Sequence, residues 1–222
     1  MPDHVVLVVD DDYRVREALQ SLLAAADLRA VVFGSAAEYI AYPRPQVPAC
    51  LILDVGLPDI NGLDLQEQIA KGYHPPIIFI TGRGDIPSSV RAIKAGALDF
   101  LTKPYSADEL LTLVHAALVQ DQELRARHAD LDRLHRRLQL LTPREREVLP
   151  LVVSGLLNKQ AAAHLKISEV TFQIHRTNVM RKMEADSLAD LVRMAGSLEI
   201  PIGVGRHLQG ASADRERRPA GP

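Results

Sequence analysis

The chain has 222 residues, 47% hydrophobic and 24% charged, with a formal net charge of −2. That balance can bury a core and excludes a disordered polyelectrolyte, while the length suits one domain or two. Charge is unevenly divided: residues 1–120 hold 9 Lys and Arg against 15 Asp and Glu, a net −6, and residues 121–222 hold 17 against 13, a net +4. An acidic front suits regulatory or metal chemistry, and a mildly basic back suits a polyanion. No apolar run approaches the roughly 18 residues of a membrane span, and residues 1–4 lack the basic stretch of a secretory leader, so a cytoplasmic protein is expected. The single cysteine, Cys50, sits in an apolar run and reads as a buried hydrophobe.

Apolar runs suited to strands fall at residues 4–9, 29–33, 49–53, 76–80 and 98–101. The first, third and fourth are nearly continuous hydrophobes, as in strands covered on both faces. Helical spacing fills the intervals at 13–26, 36–42, 62–71, 86–95 and 107–119. This alternation predicts an α/β domain over residues 1–120, a doubly wound five-stranded parallel sheet with its site at the carboxyl ends of the strands. A helical linker over 121–141 carries Leu131, Leu134, Leu138 and Leu141 at spacings of three and four. It is either an amphipathic helix packed on its own chain or a helix continuing from the first domain to pair with a partner. Residues 142–200 are helical throughout, at 142–153, 159–165, 168–183 and 187–198, which predicts a second, all-α four-helix domain. Residues 201–222 mix Gly, Pro, Ala and Arg without periodicity and are expected to form a disordered tail.

Asp10, Asp11 and Asp12 end the first strand run, and Asp54 follows the third. Adjacent carboxylates repel, so such a cluster is tolerable mainly around a hard cation such as Mg2+ held through oxygen ligands. Asp12 serves equally well as a cap for the helix it precedes. Thr81 and Lys103 follow the fourth and fifth strand runs. A hydroxyl and an ammonium there can bind the equatorial oxygens of a transferring phosphoryl group, leaving the Asp54 carboxylate as nucleophile.

Asp10-Asp11, Asp54-Val55-Gly56-Leu57-Pro58 with Gly62, Thr81-Gly82 and Lys103-Pro104 resemble the receiver domain of two-component response regulators across residues 4–119. The resemblance implies a flavodoxin-like fold with Asp54 as the phosphoacceptor of a sensor histidine kinase. It implies Mg2+ (or Mn2+) bound by Asp11, Asp54 and the Gly56 carbonyl, with Asp10 assisting through water. It also implies that Lys103 pairs with the acyl phosphate, that Thr81 and Phe100 move together on activation, and that Lys103–Pro104 is cis. Asn61-Gly62 fits the turn opening the third helix. A phosphatase of the haloacid-dehalogenase type would require aspartate at position 56, where the chain has Gly56, so no enzyme is expected.

In the second half, Thr142, Pro143 and Glu145 form the signature of a capped helix start, and Ser168 heads a helix carrying Gln, Thr, His, Arg and Lys along one edge. A short helix containing Ala161, Ala162 and Ala163, a tight turn and an exposed polar helix make a helix-turn-helix; the pattern also fits a bundle used for docking or dimerisation. Leu141-Thr142-Pro143-Arg144-Glu145, Gly155-Leu156-Leu157-Asn158-Lys159, Ile167-Ser168, His175-Arg176 and Lys182-Met183 resemble the LuxR-type domain of the FixJ/NarL family over residues 141–199. By that resemblance Gln173, Ile174 and Thr177 face base edges, while Thr171, His175, Arg176, Lys182 and Lys159 meet phosphates. Val170 and Gln173 stand where relatives often carry Lys or Arg, which weakens the sequence-independent electrostatic attraction. Phe172 is expected in the core, and His115, His128 and His135 at solvated positions. The reading is a phosphorylation-switched transcription factor that dimerises to bind double-stranded promoter DNA, with RNA polymerase as a further partner. A receiver-controlled protein-binding adaptor without DNA binding is the alternative.

Overall fold

The computed structural model describes residues 4–70, 72–82 and 86–201. Two compact units divide at Ala126 and Arg127, and each is described by itself. The expected tail over 201–222 lies outside the described residues apart from Pro201.

The first unit alternates β1 (Val5–Val9), α1 (Tyr13–Ala25), β2 (Ala30–Phe33), α2 (Ala36–Ala41), β3 (Ala49–Asp54), α3 (Gly62–Ile69), β4 (Ile77–Thr81), α4 (Ile86–Lys94) and β5 (Asp99–Thr102), and then enters α5 (Ala107–Gln139). All strand pairs are parallel, in the order β2-β1-β3-β4-β5. The expected α/β sheet is therefore present. Strands β1, β3 and β4 are buried throughout because helices cover both faces, which is why they read as unbroken hydrophobes. Leu7, Leu51 and Phe79 face one half of the core with α3; Val8, Ile52 and Ile80 face the other with α1 and α5. Cys50 is fully buried, and burial pushes its thiol far up.

Strands β3, β4 and β5 run one residue further than their apolar runs. Ladder hydrogen bonds, rather than hydrophobicity, end a strand, so Asp54 and Thr81 are the last positions of β3 and β4. Asp12 does cap α1, accepting from the Arg14 amide at 2.8 Å. Helix α5 continues through the expected linker as far as Gln139. Its early turns bury Leu110, Val114, Leu118 and Asp121 in the first unit, while Leu138 and, just beyond, Leu141 pack into the core of the second.

The second unit contains α6 (Pro143–Val153), α7 (Asn158–Leu165), α8 (Glu169–Met183) and α9 (Leu188–Ser197). Thr142 and Glu145 form the expected reciprocal cap, with Thr142 N donating to Glu145 Oε2 at 2.8 Å and Glu145 N donating to Thr142 Oγ1 at 3.3 Å. Lys166 ends α7 in the left-handed region, and Ser168 caps α8 through the Thr171 amide at 3.0 Å. This tight reversal lets Ala161 and Ala162 press against Phe172, which is fully buried as expected.

Candidate functional site

The strand order brings Asp10 from the end of β1, Asp54 from β3, Thr81 from β4 and Lys103 from just beyond β5 to one end of the sheet. Asp10, Asp54 and Thr81 are buried. Lys103 Nζ lies 2.8 Å from Asp10 Oδ2 and 3.2 Å from Asp54 Oδ1, bridging the two carboxylates. Asp10 Oδ1 accepts from the Asp12 amide at 2.9 Å, and Asp54 Oδ2 accepts from the Gly56 amide at 2.5 Å. Burial pushes the Asp10 carboxyl up by more than the Lys103 and Asp12 hydrogen bonds pull it down. Burial pulls Lys103 down, but its hydrogen bonds and charge contacts with Asp10 and Asp54 outweigh that and hold it above its ordinary value.

Two buried carboxylates thus share one ammonium, leaving the pocket short of positive charge. Asp11 is exposed, and among the described residues no three His, Cys, Asp or Glu side chains converge as a formed metal centre. The donors are nonetheless all oxygen, the chemistry a hard divalent cation requires. Phe100 is half-buried with its ring 6.1 Å from that of Phe79, its cross-strand neighbour. Lys103–Pro104 is cis.

One support escaped sequence reasoning. Arg16 Nη1 donates to the carbonyls of Asp10 at 2.7 Å and Asp11 at 2.9 Å, fixing the loop that carries the acids. Its signal was an arginine early in α1, where the helix dipole disfavours positive charge. Gly62, expected at the turn opening the third helix, is there for a steric reason: a Cβ would lie 2.3 Å from the Asp54 carbonyl oxygen, so only glycine lets α3 start against the end of β3.

On α8 the exposed positions are Glu169, Val170, Gln173, Ile174, Thr177 and Arg181, a single face at helical spacing. Gln173, Ile174 and Thr177 therefore share one surface. Asn158, missed in the sequence, ties it to α7: its Nδ2 donates to Gln173 Oε1 at 2.6 Å and its Oδ1 accepts from Arg176 Nη1 at 2.8 Å. Lys159 is exposed beside it. The Thr171 hydroxyl pairs with Ser168 Oγ at 2.7 Å, and His175 is half-buried with no hydrogen-bond partner for Nδ1. Lys182 does not lie open to solvent. Its Nζ is 2.6 Å from Glu145 Oε2, and Glu145 is only 3% exposed. His115, His128 and His135 are exposed, as expected.

The family described as "Response regulator receiver domain" matches residues 6–115, and "Bacterial regulatory proteins, luxR family" matches residues 139–195. Nodulation protein W of Bradyrhizobium diazoefficiens is 48% identical over 197 residues, covering 88% of this chain and 87% of that protein. The chain belongs to the two-component response regulators with a LuxR-type DNA-binding domain. Transcriptional regulatory protein FixJ of Azorhizobium caulinodans is 41% identical, covering 88% of this regulator and 93% of that one. The solved structure of the response regulator StyR matches with a TM-score of 0.75 and 43% identity over 87% of this regulator and 98% of that chain. The regulator thus acts in transcription through a two-component system, and the adaptor alternative is not favoured.

Proposed function

We propose that Asp54 takes a phosphoryl group from a sensor histidine kinase and that this modification switches the regulator to a dimer that binds promoter DNA. The observation that carries the reading is the bridge from Lys103 to both Asp10 and Asp54 at the mouth of the sheet. An Asp54 carboxylate oxygen bonds to phosphorus as the P–N bond of the kinase phosphohistidine breaks. Lys103 then moves its charge toward the new phosphoryl oxygens, and the Gly56 amide holds the other Asp54 oxygen. Asp10, Asp11, Asp54 and the Gly56 carbonyl would hold Mg2+ or Mn2+, which when bound neutralises the clustered oxygens. The Thr81 hydroxyl is drawn to the phosphoryl group, and Phe100 follows within β5.

The regulator works in the cytoplasm, with α8 in the major groove and a two-half-site operator occupied by a homodimer. Gln173, Ile174 and Thr177 read base edges, and Lys159, Thr171, His175 and Arg176 meet the backbone. RNA polymerase is the downstream partner. Sedimentation and gel-shift binding with promoter fragments, before and after acetyl phosphate with Mg2+, test the switch. Phosphorylated protein is dimeric and binds tightly at concentrations where Asp54→Asn is monomeric and binds poorly. Equally tight binding by unmodified monomer contradicts it.

A further inference from the structure

At the end of the sheet opposite Asp54, the end of α2, the end of α3 and the entry to β4 enclose a cavity of 130 Å3 in the receiver. Its floor includes Leu7, which is 1% exposed, and its rim includes Ile40, half-exposed, and the exposed Arg44. The walls carry the rings of Tyr39, Tyr42 and Tyr73, with His74 and Arg125 beside them.

These walls are held in place from outside. Phe33 meets Tyr39 and Tyr42 edge-on, with ring centroids at 5.8 and 5.2 Å. The Tyr73 hydroxyl and Arg125 Nε both donate to the buried carboxylate of Asp121, which also accepts from the Ala49 amide at 2.7 Å, and Arg125 lies 5.0 Å over the Tyr73 ring. Asp121 is thereby engaged through both oxygens and is not among the residues lining the cavity. Arg44 makes no ion pair among the described residues, and no Asp or Glu among them lines the space. Burial pushes the Tyr39 phenol up to about 12 against the pull of Arg44, so it remains a hydrogen-bond donor at neutral pH.

Here three tyrosines whose rings are fixed by their neighbours and a guanidinium without a carboxylate line one space with Leu7 and Ile69. An apolar cavity of about 150 Å3 accepts benzene, so this volume takes one aromatic ring, with a charged substituent left at the open rim. We propose that the cavity binds a small aromatic carboxylate, its ring between the tyrosines and its carboxylate at Arg44. The site is separate from the phosphoryl pocket and does not rest on its chemistry.

Titration calorimetry with benzoate on the full-length regulator tests this. Saturable binding is expected in the roughly micromolar to millimolar range suited to so small a ligand. Arg44→Gln weakens it about tenfold or more by removing a charge-assisted contact. Ile40→Trp, which enlarges a rim side chain without entering the core, blocks binding, and Arg14→Gln, on α1 at the Asp54 end of the sheet, leaves it unchanged. Acetate, lacking the ring, and benzene, lacking the charge, bind less tightly than benzoate. Thermal melts of each variant separate lost binding from lost folding. Absence of saturable benzoate binding, or unchanged affinity in folded Arg44→Gln, overturns the proposal; benzene binding as tightly as benzoate overturns the role of Arg44.

Discussion

Replacing Lys182 with alanine separates two roles for a basic residue on α8. If Lys182 is a phosphate contact, its loss weakens DNA binding and reduces the salt dependence. The structure gives it a different partner, Glu145 Oε2 at 2.6 Å, within the cap that starts α6. Breaking a fully buried ion pair costs about 3–5 kcal/mol, because the remaining charge is stranded. Here the Thr142 amide still donates to the same oxygen, and the Lys182 side chain is 22% exposed, so water partly replaces it. We therefore expect a loss of about 2 kcal/mol, the scale of one charged hydrogen bond. In a unit of this size that lowers Tm by roughly 10 °C. Differential scanning calorimetry of the full chain should show the output-unit transition falling while the receiver transition stays put. Lys182→Met with Glu145→Gln should recover most of the loss, since neutralising both partners removes the stranded charge. At low temperature the single variant should retain the salt slope of DNA binding. A Tm within about 2 °C of the parent together with a slope reduced by about one would refute this reasoning and restore the phosphate role.

Glu145 also predicts a pH dependence. Burial pushes its carboxyl up, but the Lys182 and Thr142 hydrogen bonds outweigh that and hold it below its ordinary value of 4.5. Its contribution is thus complete above pH 4.5 and is lost as pH falls through the depressed value, so acid melts of the output unit should be flatter in Glu145→Gln. Gly62→Ala forces a Cβ against the Asp54 carbonyl oxygen; calorimetry should show the receiver destabilised by about 2 kcal/mol or more, and labelling by acetyl phosphate should fall. Gln173→Ala should shift base preference in a randomised-site selection while changing random-DNA affinity little, and Lys159→Ala should weaken all sequences alike and lower the salt slope by about one. Equal effects of these two variants on specific and random DNA would contradict that division.

The sheet and the acidic pocket were legible because parallel strands buried on both faces produce continuous apolar runs, and the chemistry sits at their ends. Asp10, Asp54, Thr81 and Lys103 could be placed together because each follows a strand run, and the order β2-β1-β3-β4-β5 sets those strand ends side by side. The partners of Lys182 were not legible: a lysine on a polar helix edge reads as exposed, and nothing local reveals a carboxylate 37 residues earlier in sequence. Asn158 was hidden for the same reason, since its bonds to Gln173 and Arg176 cross the tight turn between α7 and α8. The Asp121 cluster fell in a stretch of alternating charge that resembled a solvated linker. Only tertiary packing places that aspartate beneath Tyr73 and the start of β3.

Phosphorylation of Asp54 is the step on which the switch depends. The direct measurement is borohydride trapping of the acyl phosphate followed by peptide mass spectrometry, after incubation with acetyl phosphate with and without Mg2+. A label is expected on Asp54 that requires the cation and disappears in Asp54→Ala; full labelling of Asp54→Ala, or a label on another residue of the parent, would rule out Asp54 as the phosphoacceptor.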